Sequence, residues 1–203
     1  GALSVTPAVT YPAHTSMVTG KTPAHHGITT NHAPDASPDG VNKSGWRWYA
    51  EDIRGPTLWS LAHDAGLTTA LVTWPVTVGA DATVRMPEYW RARTPDDMKL
   101  LRALTTPGIW DRIERTTPDF LARYQTAEVH DSASIDAALD ILAHEAPALM
   151  LIHVWQTDNA QHKYGPDSPE AMAAITAADQ QVARLLGGLQ RMPAWPRTAL
   201  VIA

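Results

Sequence analysis

The sequence contains no cysteine. This absence excludes disulfide bonds, catalytic cysteine nucleophiles and zinc sites built from thiolates. It leaves the cellular compartment open, because cysteine-free proteins occur in oxidising and reducing compartments alike. Any divalent metal ion that this protein binds must therefore be held by oxygen and nitrogen ligands.

The chain also lacks an excess of positive charge. Its 16 Lys and Arg residues are outnumbered by 21 Asp and Glu residues, which gives a formal net charge of −5 and a pI near 6.0. A protein that binds a nucleic-acid polymer by neutralising phosphates needs a broad basic surface. We therefore expect no nucleic-acid polymer as a partner, whereas a small anionic substrate held by a local cation is compatible with this composition.

Long apolar runs are missing as well. No stretch approaches the roughly 20 apolar residues that span a bilayer, and the amino terminus lacks the charged-then-apolar pattern of a signal peptide. With 203 residues, 44% of them hydrophobic, the chain has enough apolar surface for a folded core. Its abrupt beginning at Gly1 and its end within the apolar run 198–203 predict a chain truncated at both ends.

Helices are predicted where apolar residues recur at helical spacing after a start signal. Residues 55–66 begin with Gly-Pro and end at a glycine, and Thr94 precedes a proline and two acidic residues that open another helix. A further helical stretch is predicted to begin at Ile109. Asp131 is predicted to cap a helix of its own, and a long helix is predicted to begin at Ser168.

Apolar runs rich in β-forming residues predict buried strands at 68–74, 148–155 and 198–203, whereas residues 79–93 look irregular. Strands that alternate with helices predict an α/β fold, a mostly parallel sheet with helices on both faces. We expect a single domain over residues 1–203, with an irregular insertion around 79–130.

Two segments carry candidate chemistry. Thr10 offers a hydroxyl on a sharp turn after a proline-containing extended run, and Asp158 and His162 follow the predicted strand 148–155 at a spacing that places both on one helix face. A threonine hydroxyl needs a base or a metal ion beside it to become nucleophilic. In parallel sheets ligands bind beyond the carboxyl ends of the strands, where both segments are expected to lie.

Each of these residues also has an ordinary structural interpretation. Thr10 is a residue type common in turns, and Asn31 is typical of turns that its side chain closes onto the backbone. An aspartate and a histidine four residues apart, such as Asp158 and His162, also occur as an ion pair or a capping pair. These alternatives stay open on the residues alone.

The segments as a set resemble a known family. The motifs are Thr-Tyr-Pro-Ala-His at 10–14, Val-Thr-Gly at 18–20, His-Gly-Ile at 26–28 followed by Asn31, and Asp-Asn-Ala-Gln-His-Lys-Tyr-Gly-Pro at 158–166. They resemble the nucleotide pyrophosphatase/phosphodiesterase branch of the alkaline phosphatase superfamily, also known as type I phosphodiesterases. The resemblance implies an alkaline-phosphatase-like core, present here in part.

The resemblance also implies roles for individual residues. Thr10 would attack phosphorus, forming a phospho-threonine intermediate, and would contact one of two divalent metal ions, most simply zinc. Asn31 would donate a hydrogen bond to a nonbridging phosphoryl oxygen. Asp158 and His162 would bind the other zinc ion, which activates water to hydrolyse the intermediate. Two cations roughly 4 Å apart can stabilise both the attacking and the leaving oxygen of such a displacement.

The sequence also departs from the family pattern. Ala13 stands where many relatives have asparagine, and His153, five residues before Asp158, stands where nucleotide-cleaving relatives often have an aromatic residue. Tyr11 and His153 are nevertheless the residues that we expect to bind substrate. An early aspartate, a later Asp-His pair and a further histidine complete the metal site in the family and are not found here. We therefore expect this chain alone to be inactive.

The resemblance implies a hydrolase that acts on phosphodiesters or nucleotide pyrophosphates, with a small phosphate ester as substrate. Relatives are often exported, which favours an extracytoplasmic location. Two alternatives remain: a related phosphomonoesterase or phosphonoacetate hydrolase, and a noncatalytic α/β module that binds a ligand or a partner and retains a relic site. The leaving group and the oligomeric state stay open.

Overall fold

A computed structural model describes residues 3–33, 45–88 and 94–203. The chain divides into two compact units, of which the first comprises Gly1–Trp110 with Pro147–His153 and the second Asp111–Ala146 with Val154–Ala203. The described elements follow one another in the order α1 (Thr10–Thr19), α2 (Pro23–His26), a 3₁₀ helix (Ala50–Asp52), α3 (Leu58–Asp64), β1 (Thr69–Val72), β2 (Val84–Met86), α4 (Pro95–Leu104), α5 (Ile109–Thr116), α6 (Phe120–Tyr124), α7 (His130–Glu145), β3 (Leu149–Ile152), α8 (Gln156–Tyr164), α9 (Pro169–Gln190) and a 3₁₀ helix (Trp195–Arg197).

A parallel three-stranded sheet organises the first unit. The strand order is β2-β1-β3, and Ala70 of β1 lies opposite Val84 on one side and Met150 on the other. All four residues of β1 are buried, as is usual for a central strand of a parallel sheet. The predicted α/β class with a parallel sheet is confirmed, as are strands within 68–74 and 148–155.

Capping explains where two helices of the first unit begin. The Thr57 hydroxyl accepts a hydrogen bond from the Ser60 N–H at 3.2 Å, and the Thr57 N–H donates to the Ser60 hydroxyl at 2.9 Å, so α3 begins with a reciprocal capping box. Thr94 and Asp97 make the same arrangement at the start of α4. Within α3 the buried residue is Trp59, whereas Leu58 and Leu61 are exposed.

The second unit is helical. Its core lies along α7, where Ala133, Ala137, Ala138 and Ile141 are fully buried. The Ser168 hydroxyl accepts a hydrogen bond from the Ala171 N–H at 3.1 Å and thereby confirms the predicted start of α9. No helix in the described part of the chain is long and apolar enough to cross a membrane.

The structure corrects three expectations. Residues 84–86 form a strand within the segment predicted to be irregular, because they pair with β1 although they make no apolar run. Residues 198–203 form no strand, since a strand requires a pairing partner and apolar character does not supply one. Asp131 does not cap α7, which begins at His130 with Val129 as its N-cap residue. The single-domain organisation and the insertion around 79–130 stay predictions.

Candidate active site

Thr10 is the first residue of α1. The preceding residue, Val9, is extended, with φ −124° and ψ 160°, so the chain passes directly from extended backbone into the helix where a sharp turn was predicted. The N–H groups of a first helical turn have no partner within the helix. Because these N–H groups point outward from the helix start, the terminus at Thr10 carries partial positive charge. The Thr10 residue is half-buried there.

Asn31 is bound to this terminus. Its side-chain oxygen accepts a hydrogen bond from the Tyr11 N–H at 2.8 Å. Because that bond engages the oxygen, the amide nitrogen is the atom of Asn31 that remains to donate to a ligand. The structure thus brings together two residues that the sequence separates by some twenty positions.

Tyr11 lies in an aromatic cluster of the first unit. Its ring is fully buried, with the centroid of Trp46 at 5.3 Å and that of Trp48 at 6.3 Å. Trp46 also lies against His32, with centroids 4.5 Å apart, and it is half-buried. Tyr11 anchors α1 through this packing, whereas its contact with substrate stays a prediction.

His14 links the first turn of α1 to the end of the sheet. Its Nδ1 donates to the carbonyl oxygen of Thr10 at 2.8 Å, and its ring lies 4.5 Å from the ring of His153 and 4.9 Å from that of Trp74. Burial, the larger cause, and the neighbouring His153 together lower the pKa of His14 to about 4. His14 is therefore neutral near pH 7, and its side chain holds the backbone carbonyl of Thr10.

His153 follows β3 directly and is almost fully buried. Two hydrogen bonds hold its backbone. Its N–H donates to the Val72 carbonyl oxygen at 3.1 Å, and its own carbonyl oxygen accepts from the Thr73 hydroxyl at 2.7 Å. Since His14 contacts it, the first turn of α1 lies at the carboxyl end of β3, the expected position for ligand binding in a parallel sheet.

Glu88 is a site residue that sequence reasoning missed. Its side chain is buried two residues beyond β2, and its Oε1 lies 3.2 Å from Nδ1 of His153. Neither carboxylate oxygen has a hydrogen-bond partner among the described residues. The only signal that would have pointed to Glu88 is the end of β2, and that strand was itself not predicted.

Asp158 and His162 lie on α8 in the second unit. Asp158 Oδ1 and His162 Nε2 are 3.4 Å apart, and both side chains are exposed. Two ligand atoms about 2.0 Å from a tetrahedral zinc ion lie about 3.3 Å apart, so this carboxylate–imidazole pair fits two positions of one zinc site. Among the residues that the structure describes, no group of three or more acidic or histidine side chains forms a complete metal site.

The structure therefore assembles the predicted residues in two groups. In the first unit, His14 contacts Thr10 and His153, and Asn31 binds the N–H of Tyr11. In the second unit, Asp158 and His162 form a pair. A shared cradle of Thr10 with Asp158 and His162 stays a prediction.

A family model described as type I phosphodiesterase / nucleotide pyrophosphatase matches residues 2–203. The chain belongs to this family. The match covers Thr10, Asn31, Asp158 and His162, and it confirms the resemblance that the four motifs indicated. The type I phosphodiesterase family thus includes the whole described structure, both the sheet-containing unit and the helical one.

Curated relatives of this family agree. The chain is 26% identical over 193 residues to ectonucleotide pyrophosphatase/phosphodiesterase family member 3 of Rattus norvegicus, with 91% of this chain and 18% of the relative covered. It is 25% identical over 192 residues to family member 1 of Homo sapiens, with 93% of this chain and 17% of the relative covered. The chain thus spans less than a fifth of the length of these relatives.

Solved structures show the same fold. An inactive form of murine ectonucleotide pyrophosphatase/phosphodiesterase 5 in complex with AMP superposes with a TM-score of 0.61 at 18% identity, covering 95% of this chain and 44% of that chain. Phosphonoacetate hydrolase from Sinorhizobium meliloti 1021 in complex with phosphonoformate superposes with a TM-score of 0.60 at 25% identity, covering 91% and 44%. The predicted alkaline-phosphatase-like fold is therefore confirmed.

Proposed function

We propose that the protein hydrolyses small phosphoric esters, phosphodiesters or nucleotide pyrophosphates, through a covalent intermediate on Thr10 and with bound divalent metal ions. The observation that carries the proposal is the arrangement at the start of α1. There, Thr10 is the first residue of the helix and the Asn31 side chain binds the N–H of the next residue, within a chain that belongs to the type I phosphodiesterase family.

The chemistry is a double displacement at phosphorus. The Thr10 hydroxyl loses its proton to solvent as its oxygen bonds to phosphorus, and the leaving-group oxygen departs with the electron pair of its broken bond to phosphorus. Water then attacks the phospho-threonine, and the threonine oxygen leaves and regains a proton. Asn31 supplies an N–H donor for a phosphoryl oxygen, because its own oxygen is engaged by the Tyr11 N–H.

The metal requirement belongs to the same proposal. Asp158 and His162 would supply two ligands to one zinc ion, as their separation allows, and Thr10 would contact the other. When bound, such ions supply positive charge that stabilises an alkoxide and the charge developing on phosphoryl oxygens. Two complete zinc sites would need further ligands besides Asp158, His162 and Thr10.

Substitution of the nucleophile tests the proposal directly. The complete protein with added zinc is expected to hydrolyse a nitrophenyl phosphodiester, and Thr10→Ala is expected to lower kcat by at least about 100-fold. Thr15→Ala, on the buried face of the same helix, is the matched control for folding. A loss of less than tenfold in Thr10→Ala would refute the nucleophile assignment.

A related reaction on the same scaffold is the second candidate, because a phosphonoacetate hydrolase is among the structural relatives. Rates on a monoester, a diester and phosphonoacetate, measured side by side, distinguish these activities. The noncatalytic alternative predicts that none of the three substrates is hydrolysed and that elemental analysis finds no zinc in the purified protein.

A further inference from the structure

The amino terminus of α8 is held by a carboxylate from another helix. Asp131, in the first turn of α7, is 1% exposed, and its side chain accepts hydrogen bonds from the Trp155 N–H at 2.9 Å and the Gln156 N–H at 3.2 Å. The N-cap residue of α8, Trp155, makes no capping hydrogen bond with its own side chain. A carboxylate in this position is also favoured by the partial positive charge of the helix terminus.

The same contact is made in the opposite direction. The Gln156 side-chain oxygen accepts a hydrogen bond from the Asp131 N–H at 2.8 Å, and its side-chain nitrogen donates to the Glu128 carbonyl. Residues 128–131 and 155–156 are therefore connected by side chains from both segments. The rings of His130 and Trp155, with centroids 4.8 Å apart, pack beside these bonds.

These bonds fix the turn of α8 that carries the carboxylate of the candidate metal pair. Asp158 lies two residues after Gln156, and His162 lies one turn further on. A second connection, from Lys163 to Glu128 at 3.7 Å, joins two largely exposed side chains and contributes little. The buried Asp131–Gln156 contacts thus join the first turn of α8 to α7, while α8 also packs against α9.

We propose that Asp131 is a positioning residue for metal binding: through the N–H groups of Trp155 and Gln156 it holds α8 so that Asp158 and His162 face one divalent cation together. The inference rests on the proposed function, since it assumes that this pair binds metal. Removal of a group that orients metal ligands without binding the metal itself typically lowers metal affinity by about 10- to 100-fold.

Zinc affinity, measured by competition with a chromophoric chelator, tests this role in the complete protein. Asp131→Ala is expected to weaken zinc binding by about tenfold or more, and Asp131→Asn, which keeps one acceptor oxygen, by about fivefold or more. The matched control is Asp136→Asn on the same helix, whose carboxylate pairs with Arg123 at 2.6 Å and with Arg184. This control is expected to lower Tm and leave zinc affinity unchanged.

The outcomes separate the inference from the proposed function. Zinc affinity within about twofold of the unsubstituted protein in both Asp131 variants, while Asp158→Asn weakens it, would overturn the positioning role. If Asp131→Ala does not fold, the Asp131→Asn variant decides alone. A protein in which Asp158→Asn leaves zinc affinity unchanged would overturn the metal assignment itself, and the inference with it.

Discussion

The side-chain oxygen of Asn31 and the backbone N–H of Tyr11 form a 2.8 Å hydrogen bond. This bond satisfies one of the N–H groups that the start of α1 leaves without a partner in the helix. It also leaves the amide nitrogen of Asn31 as the end of the side chain that can donate to a ligand. One residue thereby connects the stability of the helix start with the chemistry proposed for Thr10.

Replacing Asn31 by aspartate separates these two roles. Asn31→Asp retains an acceptor for the Tyr11 N–H, so we expect the free energy of unfolding to stay within about 0.5 kcal/mol of its original value. The variant loses the N–H donor and places an anion beside the phosphoryl oxygens, so kcat/KM on a nitrophenyl phosphodiester is expected to fall by about 100-fold.

Asn31→Ala is the companion variant. It removes both functions, and we expect a loss of about 1 kcal/mol in the free energy of unfolding together with the loss of activity. Denaturant titration and steady-state kinetics on the same preparations provide the comparison. Full activity in Asn31→Asp would exclude the donor role.

The buried histidine of α2 predicts a pH dependence of stability. The Nδ1 of His26 accepts a hydrogen bond from the Ile28 N–H at 3.1 Å, and its Nε2 lies 2.9 Å from the Ser16 hydroxyl. Burial is the main cause that lowers the pKa of His26 below its usual 6.5. The folded protein therefore binds this proton less tightly than the unfolded chain does, and the free energy of unfolding falls as the pH falls below 6.5.

Urea titrations at pH 7.5, 6.0 and 5.0 measure this dependence. We expect His26→Gln to show a smaller loss of stability between pH 7.5 and 5.0 than the unsubstituted protein. His25→Gln, an exposed neighbour, is the matched control and should retain the original dependence. An unchanged pH dependence in His26→Gln would mean that other groups account for the loss.

Two adjacent glycines in α9 predict opposite outcomes for the same substitution. A side chain at Gly187 would meet only the end of Arg191, whereas a Cβ at Gly188 would overlap Leu139 of α7. Gly187→Ala is expected to raise the free energy of unfolding by about 0.5–1 kcal/mol through helix propensity. Gly188→Ala is expected to give no gain or a loss, because Leu139 must move. Equal gains from both, measured by denaturant titration, would contradict the close approach of α7 and α9.

An ion-pair network in the second unit predicts a large loss of stability when its arginine, Arg112, is replaced. Arg112 donates to Asp140 and Glu145, each at 2.7 Å, and the Asp140 side chain is only 7% exposed. Arg112→Ala is expected to lower the free energy of unfolding by about 3 kcal/mol, since it removes the guanidinium from a buried carboxylate.

The exposed pair of Lys99 and Asp96 provides the comparison for this effect. Lys99→Ala is expected to cost less than about 0.5 kcal/mol, because water screens the pair. Thermal and denaturant unfolding of both variants measure the difference. Similar costs for the two substitutions would show that burial of Asp140 does not strengthen its interaction with Arg112.

Two errors in the sequence-based predictions of strands have one physical origin. Val84–Met86 makes too short a run to signal a strand and becomes one because β1 lies beside it. Residues 198–203 have a strong apolar signal and form no strand. Strand formation depends on a pairing partner that can be distant in the chain, and local composition does not encode that partner.

The acidic residues illustrate the same limit. Asp131 looks like the cap of its own helix, since it precedes an apolar periodic segment, and it instead accepts hydrogen bonds from α8. Glu88 itself gave no sequence signal, because its significance lies in its burial and in the 3.2 Å approach to His153. Side-chain partners of this kind are decided by the packing of segments that are far apart in sequence.

The sequence by itself determined the family, the α/β class, the central strand and the capped starts of α4 and α9. These features rest on short-range motifs and on local hydrogen bonds, which a few consecutive residues specify. Only the tertiary structure decided that Asn31 binds the start of α1, that His14 contacts His153 and that Asp131 holds α8. Each of these contacts joins segments brought together by burial of apolar surface, an effect that favours compactness without direction and so leaves the choice of partner to the fold.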